Sequence, residues 1–386
     1  MKKFFQGMIQ NIADYIRETD KLLLGLCAIA SLFGCALVFS ATRYTGESRQ
    51  FFVQLLSVCI GVAVAIVISL FDYKTFANTR VLPIYLILSI LLLGITYFFG
   101  YAPDGTDNKA WISLPFGMSL QVSELIKIFL IISFSTHVAA LDKQEINRPL
   151  NVLLLALHGL APAAVVMVLQ RDLGTCIILA CVFLAMLFAA GVKLRYFAIS
   201  GLFIAAASPL IWFFGLSEYQ RERFTIILNL ESEPLGRGYQ QLQALRAIGS
   251  GGITGYGYLN GPKTQAGSVP KAYNDFIFSV AGEELGMIGC LVICALLLAI
   301  VIRIIRVGTL VHDRQGSIIC AGVFGMFTSQ IIINLGMCLA LLPVIGVTLP
   351  FFSAGGTSLI CLYLGVGLVL SVYKNRNKRQ LYLRDV

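Results

Sequence analysis

Apolar residues run along this chain in long blocks broken by short polar interruptions, at about 22–41, 51–71, 82–100, 123–140, 151–169, 173–190, 197–215, 276–302, 317–342 and 358–373. A helix needs roughly 20 apolar residues to cross the hydrocarbon core of a bilayer. Only helices and closed barrels satisfy their backbone polar groups there. The pattern therefore predicts an all-α polytopic membrane protein with about ten transmembrane helices. Ahead of the first block, Phe4, Phe5, Met8, Ile9, Ile12, Tyr15 and Ile16 recur at helical spacing, with Lys2, Lys3 and Arg17 among the polar positions. That suits an amphipathic helix lying on the membrane surface; a frayed cytoplasmic tail is the alternative.

Composition agrees with the pattern. Of 386 residues, 58% are hydrophobic and 13% charged, and the mean hydropathy is +0.83. A soluble domain carries roughly 25% charged residues, so a soluble enzyme, a disordered chain and a secreted disulfide scaffold are excluded. The ten cysteines are mostly scattered singly through apolar blocks, with no CxxC and no Cys/His cluster. They read as small packing residues rather than as a zinc site or a disulfide framework.

The net charge of +9 sets orientation rather than nucleic-acid binding. If both termini are cytoplasmic, 18 of the 29 basic residues fall in inner segments, and the short outer loops hold only Arg43, Arg49, Lys109 and Arg171. Short loops decide orientation, so the expectation is N-in and C-in. Residues 1–21 are then a cytoplasmic amphipathic segment, 22–373 a ten-helix membrane domain, and 374–386 a basic cytoplasmic tail. The outer face carries two long segments, 101–122 and 216–275, the latter between spans seven and eight. Loops beyond roughly 15 residues in a compact domain are usually functional or disordered. The second contains Tyr, Leu and Ile throughout, with glycine-rich turns at 249–261, so it is expected to be ordered. Chemistry on this protein belongs at that face.

Three groups of charge lie where a bilayer penalises them. Glu124 and Lys127 open the fourth block at i and i+3, on one helix face. An ionisable group inside a span is costly and points to a use. The two form either an anion contact near the outer end or an ion pair that locks helix packing. Gln170-Arg171-Asp172-Leu173-Gly174-Thr175 joins two blocks with almost no loop, and is either functional or a solvated corner. Asp275 stands at the entrance of the eighth block, with Glu283 and Glu284 further in. An Asp at a helix start is commonly an N-cap, but a carboxylate partly shielded from water can also serve as a general base. Gly255-Tyr256-Gly257-Tyr258-Leu259-Asn260-Gly261 has the glycines of a phosphate-binding loop but not the strand that should precede it. Asp104-Gly105-Thr106-Asp107-Asn108 lacks the spacing of a calcium loop. His137 and His158 lie in spans and read as packing or hydrogen-bonding residues.

These segments together resemble the SEDS family of bacterial cell-wall polymerases, which includes RodA, FtsW and SpoVE. Trp111-Ile112 followed by Gln121-Val122-Ser123-Glu124 and Lys127 is similar to the family's RWI…QPSE-x-x-K stretch. QRDLGT at 170–175 resembles QPDLGT, nearer the RodA branch. Gly255 through Asp275-Phe276-Ile277-Phe278 and Gly282-Glu283-Glu284-Leu285-Gly286 resembles GxG…TDFIF…GEELG. Leu349-Pro350-Phe351-Phe352-Ser353-Ala354-Gly355-Gly356-Thr357-Ser358 matches LPF-x-S-x-GGS/TS. Val122 and Arg171 replace prolines of the family pattern, Tyr273-Asn274 stand where His-Thr is common, and Ala110 takes the place of an arginine, leaving Lys109 as a substitute.

The resemblance implies a peptidoglycan glycosyltransferase of the bacterial cytoplasmic (inner) membrane. It would join lipid II into glycan strands at the outer face and release undecaprenyl diphosphate, in elongation or division. Asp275 would be the base. Trp111, Glu124, Lys127, Arg171, Asp172 and Ser353 would contact substrate, with Arg221 and Arg223 as further cations for the departing diphosphate. A divalent cation, Mg or Mn, is an open expectation with its ligands unassigned. The implied partners are a class B penicillin-binding protein and membrane lipids, with no nucleic acid. A flippase for the lipid-linked precursor and a non-catalytic scaffold are the alternatives.

Overall fold

The computed structural model describes residues 18–46, 48–102, 109–113, 119–216, 218–230 and 238–376. Most of the expected amphipathic segment and of the basic tail thus lies outside the described residues. Helices α1 (Lys21–Thr42), α2 (Arg49–Leu70), α3 (Tyr73–Phe76) and α4 (Leu82–Phe99) come first. The strands β1 (Trp111–Ser113) and β2 (Ser119–Gln121) follow, then α5 (Val122–Ala140), α6 (Pro149–Gln170), α7 (Leu173–Ala189) and α8 (Leu194–Leu210). The chain continues with α9 (Glu218–Thr225), α10 (Tyr239–Ser250), α11 (Pro262–Gln265), α12 (Ile277–Leu310), α13 (Arg314–Cys338) and α14 (Thr357–Lys374). Eight helices are long and apolar enough to cross a membrane, and α7 and α8 are shorter apolar helices. All ten coincide with the blocks read from the sequence. The chain is a multi-pass membrane protein.

One segment departs from expectation. The stretch between α4 and α5 contains an antiparallel ribbon, with Trp111 opposite Gln121 and Ser113 opposite Ser119, so the fold is not purely helical. The described part of the 216–275 segment is ordered, as expected, and includes the short helices α9, α10 and α11. Gln241, Leu242, Ala244 and Ala247 of α10 are buried.

Lipid tails are as apolar as leucine, so the helices associate by close approach rather than by hydrophobic transfer. Gly61 of α2 faces the ring of Tyr363 in α14, and Gly367 of α14 faces the backbone of Ala65. Gly325 of α13 meets Val182 and Ala185 of α7. The exception is α8, none of whose residues is buried.

Helix α12 is broken at Gly286 (φ 64°, ψ −161°), a backbone region open essentially to glycine alone. A break at this depth would strand backbone groups that lipid cannot satisfy. The glycine-rich segment 251–257 takes them up. Tyr256 N donates to Glu283 O (3.1 Å) and Gly257 N to Glu284 O (2.9 Å), while Met287 N donates to Gly252 O (2.9 Å) and Ile288 N to Ile253 O (3.2 Å). Gly255 (φ 75°) lies so close to Glu284 that a Cβ would overlap its backbone. The segment with a phosphate-loop spacing therefore serves as substitute helix backbone. Gly286→Ala is expected to cost about 1–3 kcal/mol from backbone strain alone, read as a lower thermal unfolding midpoint in detergent. An unchanged midpoint would show that the break does not depend on glycine.

Candidate active site

The end of the bundle where α5, α12 and α14 begin gathers the sequence-selected residues, and the segment 349–358 joins its two halves. Ser353, buried, accepts from Leu349 N through Oγ (2.8 Å), closing a turn. Its carbonyl accepts from Gln54 Nε2 (3.0 Å). Ala354 N donates to Tyr273 O (2.8 Å), two residues before Asp275. Thr357 Oγ1 donates to Ser119 O (2.6 Å), tying the start of α14 to β2. Ser353 thus shapes the backbone that links the halves, its hydroxyl already engaged.

On the β-ribbon side, Trp111 is half-buried, paired through its backbone with Gln121 and bridged to Tyr101. Gln121 Nε2 reaches Asp172 Oδ2 (3.1 Å). Asp172 also accepts from Thr175 N (3.0 Å) and Thr175 Oγ1 (2.7 Å), which makes it the N-cap of α7. Arg171 occupies a left-handed turn position (φ 52°) with its side chain exposed. The nearly loopless corner between α6 and α7 is therefore capped by one charge, while the other stays accessible.

Glu124 and Lys127 share the first turns of α5, with Nζ–Oε1 at 2.6 Å and Lys127 fully buried. In this arrangement the lysine's charge is given to Glu124, the packing ion pair that the spacing allowed. The second carboxylate oxygen, Glu124 Oε2, is buried and finds no hydrogen-bond partner among the described residues, and neither does Ser358 Oγ in α14.

Asp275 differs from Asp172, Glu283 and Glu284 at this end. Glu283 accepts from Lys263 N (2.8 Å), Thr264 N (2.8 Å) and Thr264 Oγ1 (2.6 Å), which caps α11. Glu284 accepts from Ser40 Oγ (2.6 Å), Gln265 Nε2 (3.0 Å) and Leu259 N (3.2 Å). Both are fully buried and fully employed in holding 259–265 to α12. Among the described residues none donates a hydrogen bond to the Asp275 carboxylate, which is partly exposed. Burial pushes its pKa above the ordinary carboxylate value, and the nearby Lys271 and Arg223 oppose the rise. Its Oδ2 would lie 3.9 Å from a Cβ placed on Gly346 (φ 72°), so the aspartate faces the turn before Val347. Arg223 anchors the same turn by donating to Val344 O (2.7 Å).

A carboxylate free of donors, raised in pKa and flanked by two cations can accept a proton from a bound hydroxyl beside a site for an anion. Lys271 went unnoticed in the sequence as a partner of Asp275. The two come together through a tight turn in which Asn274 N and Phe276 N both donate to Lys271 O (3.0 and 3.4 Å). Proline at 270 and aspartate at 275 were the local signs of such a turn. Asn334 and Gln54, amides inside apolar spans, were also missed, although a buried amide costs free energy unless it is bonded.

A metal cage is not part of this arrangement: among the described residues no three His, Cys, Asp or Glu side chains converge. The donor set does not fit a cation held by protein ligands alone.

Taken together, the fold and site are those of a multi-pass membrane protein with a charged, partly open site at one end of its helices. The family model described as cell cycle protein, covering FtsW, RodA and SpoVE, matches residues 19–378, and the chain belongs to that family. It is 32% identical over 370 residues to the peptidoglycan glycosyltransferase MrdB of Escherichia coli K12, covering 94% of this chain and 95% of that one. It is 34% identical over 372 residues to the probable peptidoglycan glycosyltransferase FtsW of Geobacter metallireducens, covering 92% and 95%. With the stage V sporulation protein E of Bacillus subtilis it shares 32% over 362 residues, covering 92% and 96%. Among solved structures, one showing the structural coordination of polymerization and crosslinking by a peptidoglycan synthase complex superposes with a TM-score of 0.79. It is 26% identical, over 93% of this chain and 98% of that one. The crystal structure of the rod shape determining protein RodA of Thermus thermophilus gives 0.68 at 25% identity, over 93% and 97%.

Lys127→Met strands the buried Glu124 carboxylate and is expected to cost about 3–5 kcal/mol of stability. The double variant Glu124→Gln/Lys127→Met should recover most of that loss. Thermal unfolding of the three proteins checks it, and equal midpoints for single and double variants would remove the packing role of the pair.

Proposed function

We infer that this chain is a peptidoglycan glycosyltransferase whose base is Asp275. Its near full-length match to glycosyltransferases named for peptidoglycan supports the reaction class. The observation that carries the residue assignment is the contrast among carboxylates: Asp172, Glu283 and Glu284 are saturated with donors, whereas Asp275 is open and carries a raised pKa.

In this reading the acceptor sugar hydroxyl of one lipid II attacks the anomeric carbon of the donor. The C–O bond to the donor's diphosphate breaks, and undecaprenyl diphosphate leaves. Asp275 takes the hydroxyl proton as the new glycosidic bond forms. Its elevated pKa suits the task, because a base works best when its pKa approaches the operating pH. The charge developing on the diphosphate is met by Lys271 and Arg223, with the exposed Arg171 as a further cation. Trp111 offers an aromatic face to a sugar. A divalent cation would arrive with the diphosphate rather than in a protein cage, since Mg²⁺ is commonly bound through substrate phosphates and few carboxylates. No step here depends on it.

The charge asymmetry of the loops supports a chain in a bacterial inner membrane with both termini on the cytoplasmic side and Asp275 at the outer face. Ten crossings follow if α7 and α8 both span. A class B penicillin-binding protein is the partner that would crosslink the strands. Transport is the weaker alternative. Transporters use broken helices whose freed backbone groups bind substrate, and here those of Gly286 are taken by 252–257.

Asp275→Asn should lower polymerisation of labelled lipid II by at least ~100-fold, assayed with the purified chain and its partner transpeptidase in the presence of divalent cation. Undiminished glycan product would remove the assignment. The pH dependence adds a signed test. The base is active when deprotonated, so the rate falls as pH drops through the pKa of Asp275. Lys271→Ala removes a group that lowers this pKa, and the acid limb should move to higher pH; a shift to lower pH would contradict the electrostatics.

A further inference from the structure

We propose that Asn334 is the positioning residue for Asp275, an inference that rests on the reading of Asp275 as the base. Asn334 lies in α13 and is fully buried. Its Nδ2 donates to Asp275 O at 2.8 Å and to Val347 O at 2.7 Å. Both neighbours are carbonyl oxygens, which only accept, so the amide must turn its NH₂ toward them and uses both hydrogens. Cys338, one turn further along, places its Sγ 3.6 Å from Asp275 O and 3.8 Å from Asn334 Oδ1, a weak supporting donor.

The two carbonyls belong to separate pieces of irregular backbone. One is the turn 271–276 that carries the base. The other is the stretch through Gly346 and Val347 that Asp275 Oδ2 faces. Neither has the regular partners of a helix, and lipid offers none. A single side chain on a third, regular helix therefore fixes the spacing between the base and the wall opposite it. Arg223 holds that wall from its other side through Val344 O, and Ala354 N holds the base-bearing turn through Tyr273 O. Of these tethers, Asn334 alone touches both pieces. A misplacement of about 1 Å at a reacting group can lower a rate on the order of 100-fold, which is the leverage such a tether has.

Asn334→Asp keeps the shape and leaves at most one of the two donors; Asn334→Ala removes the side chain. For either, kcat for lipid II polymerisation should fall about 10–100-fold, while KM for lipid II stays within about twofold, the pattern of a group that acts on the transition state and not on binding. Rates are normalised to monodisperse protein, and thermal unfolding is measured in parallel. A parental kcat in either variant, a loss carried wholly by KM, or failure of both variants to fold would overturn the proposal, the last by making Asn334 a determinant of the fold alone. Asp275→Ala is assayed alongside. Parental activity in that variant removes the functional reading itself, whereas an inactive Asp275→Ala beside a parental Asn334→Asp removes only the tether.

Discussion

A membrane interior supplies no hydrogen bonds, so every backbone group that leaves regular helix must find a partner within the protein. The site depends on this constraint. An active centre needs irregular backbone to turn side chains inward, and the described residues include three such pieces that bear on the site: the turn before α12, the stretch from Gly346 to Gly356, and the break at Gly286. Each is held by a polar group placed for the purpose. Asn334 holds the first two, Gln54 holds Ser353 and Gly355, and the 251–257 segment fills the third. The polar residues in the spans are thus the scaffold of the site.

The same logic sorts the acidic residues, which are chemically alike and differ in how many donors surround them. Glu283 and Glu284 receive several each and serve as fasteners. Asp172 caps a helix, and Glu124 neutralises a lysine with one oxygen and keeps the other unbonded among the described residues. Asp275 is left with charge nearby but, among the described residues, no donor on its carboxylate. Donors stabilise the ionised form and lower a pKa, whereas burial without them raises it. Its readiness to take a proton follows from what the fold withholds.

The apolar blocks were legible as helices because bilayer thickness dictates the length of a span, and eight of the helices are long and apolar enough to cross; α12 runs on to Leu310, eight residues past its block. Asp275 and Asp172 were legible as polar residues at block edges, and Trp111 through its motif. Their roles were not, because a cap and a base look alike until the neighbouring N–H groups are placed; Asp172 is a cap and Asp275 is not. The 216–275 segment was expected to be ordered but not to be helical, since Tyr239–Ser250 is too polar to announce itself beside the spans. Glu283 and Glu284 stood out as charges at depth, but their partners Ser40, Leu259 and Thr264 lie up to 244 positions away in sequence. Asn334 was invisible for the same reason: its partners come from two other segments.

A substrate that is polar at its head and polyprenyl at its tail asks two incompatible things of one protein: a site dry enough to perturb a carboxylate, and a side left open to lipid. The packing divides the tasks. Helices α2, α5, α13 and α14 bury their polar groups against one another and make the rigid part, to which Asp275 is tied through α13. Helix α8 has no fully buried residue, though Tyr196 and Phe197 pack against the core, and the segment that follows it supplies Arg223, which reaches the wall facing Asp275. That segment thus joins α8 to a residue that bears on the electrostatics of Asp275. Because Arg223 lowers the pKa of Asp275, any displacement of α8 that drew Arg223 away would raise it.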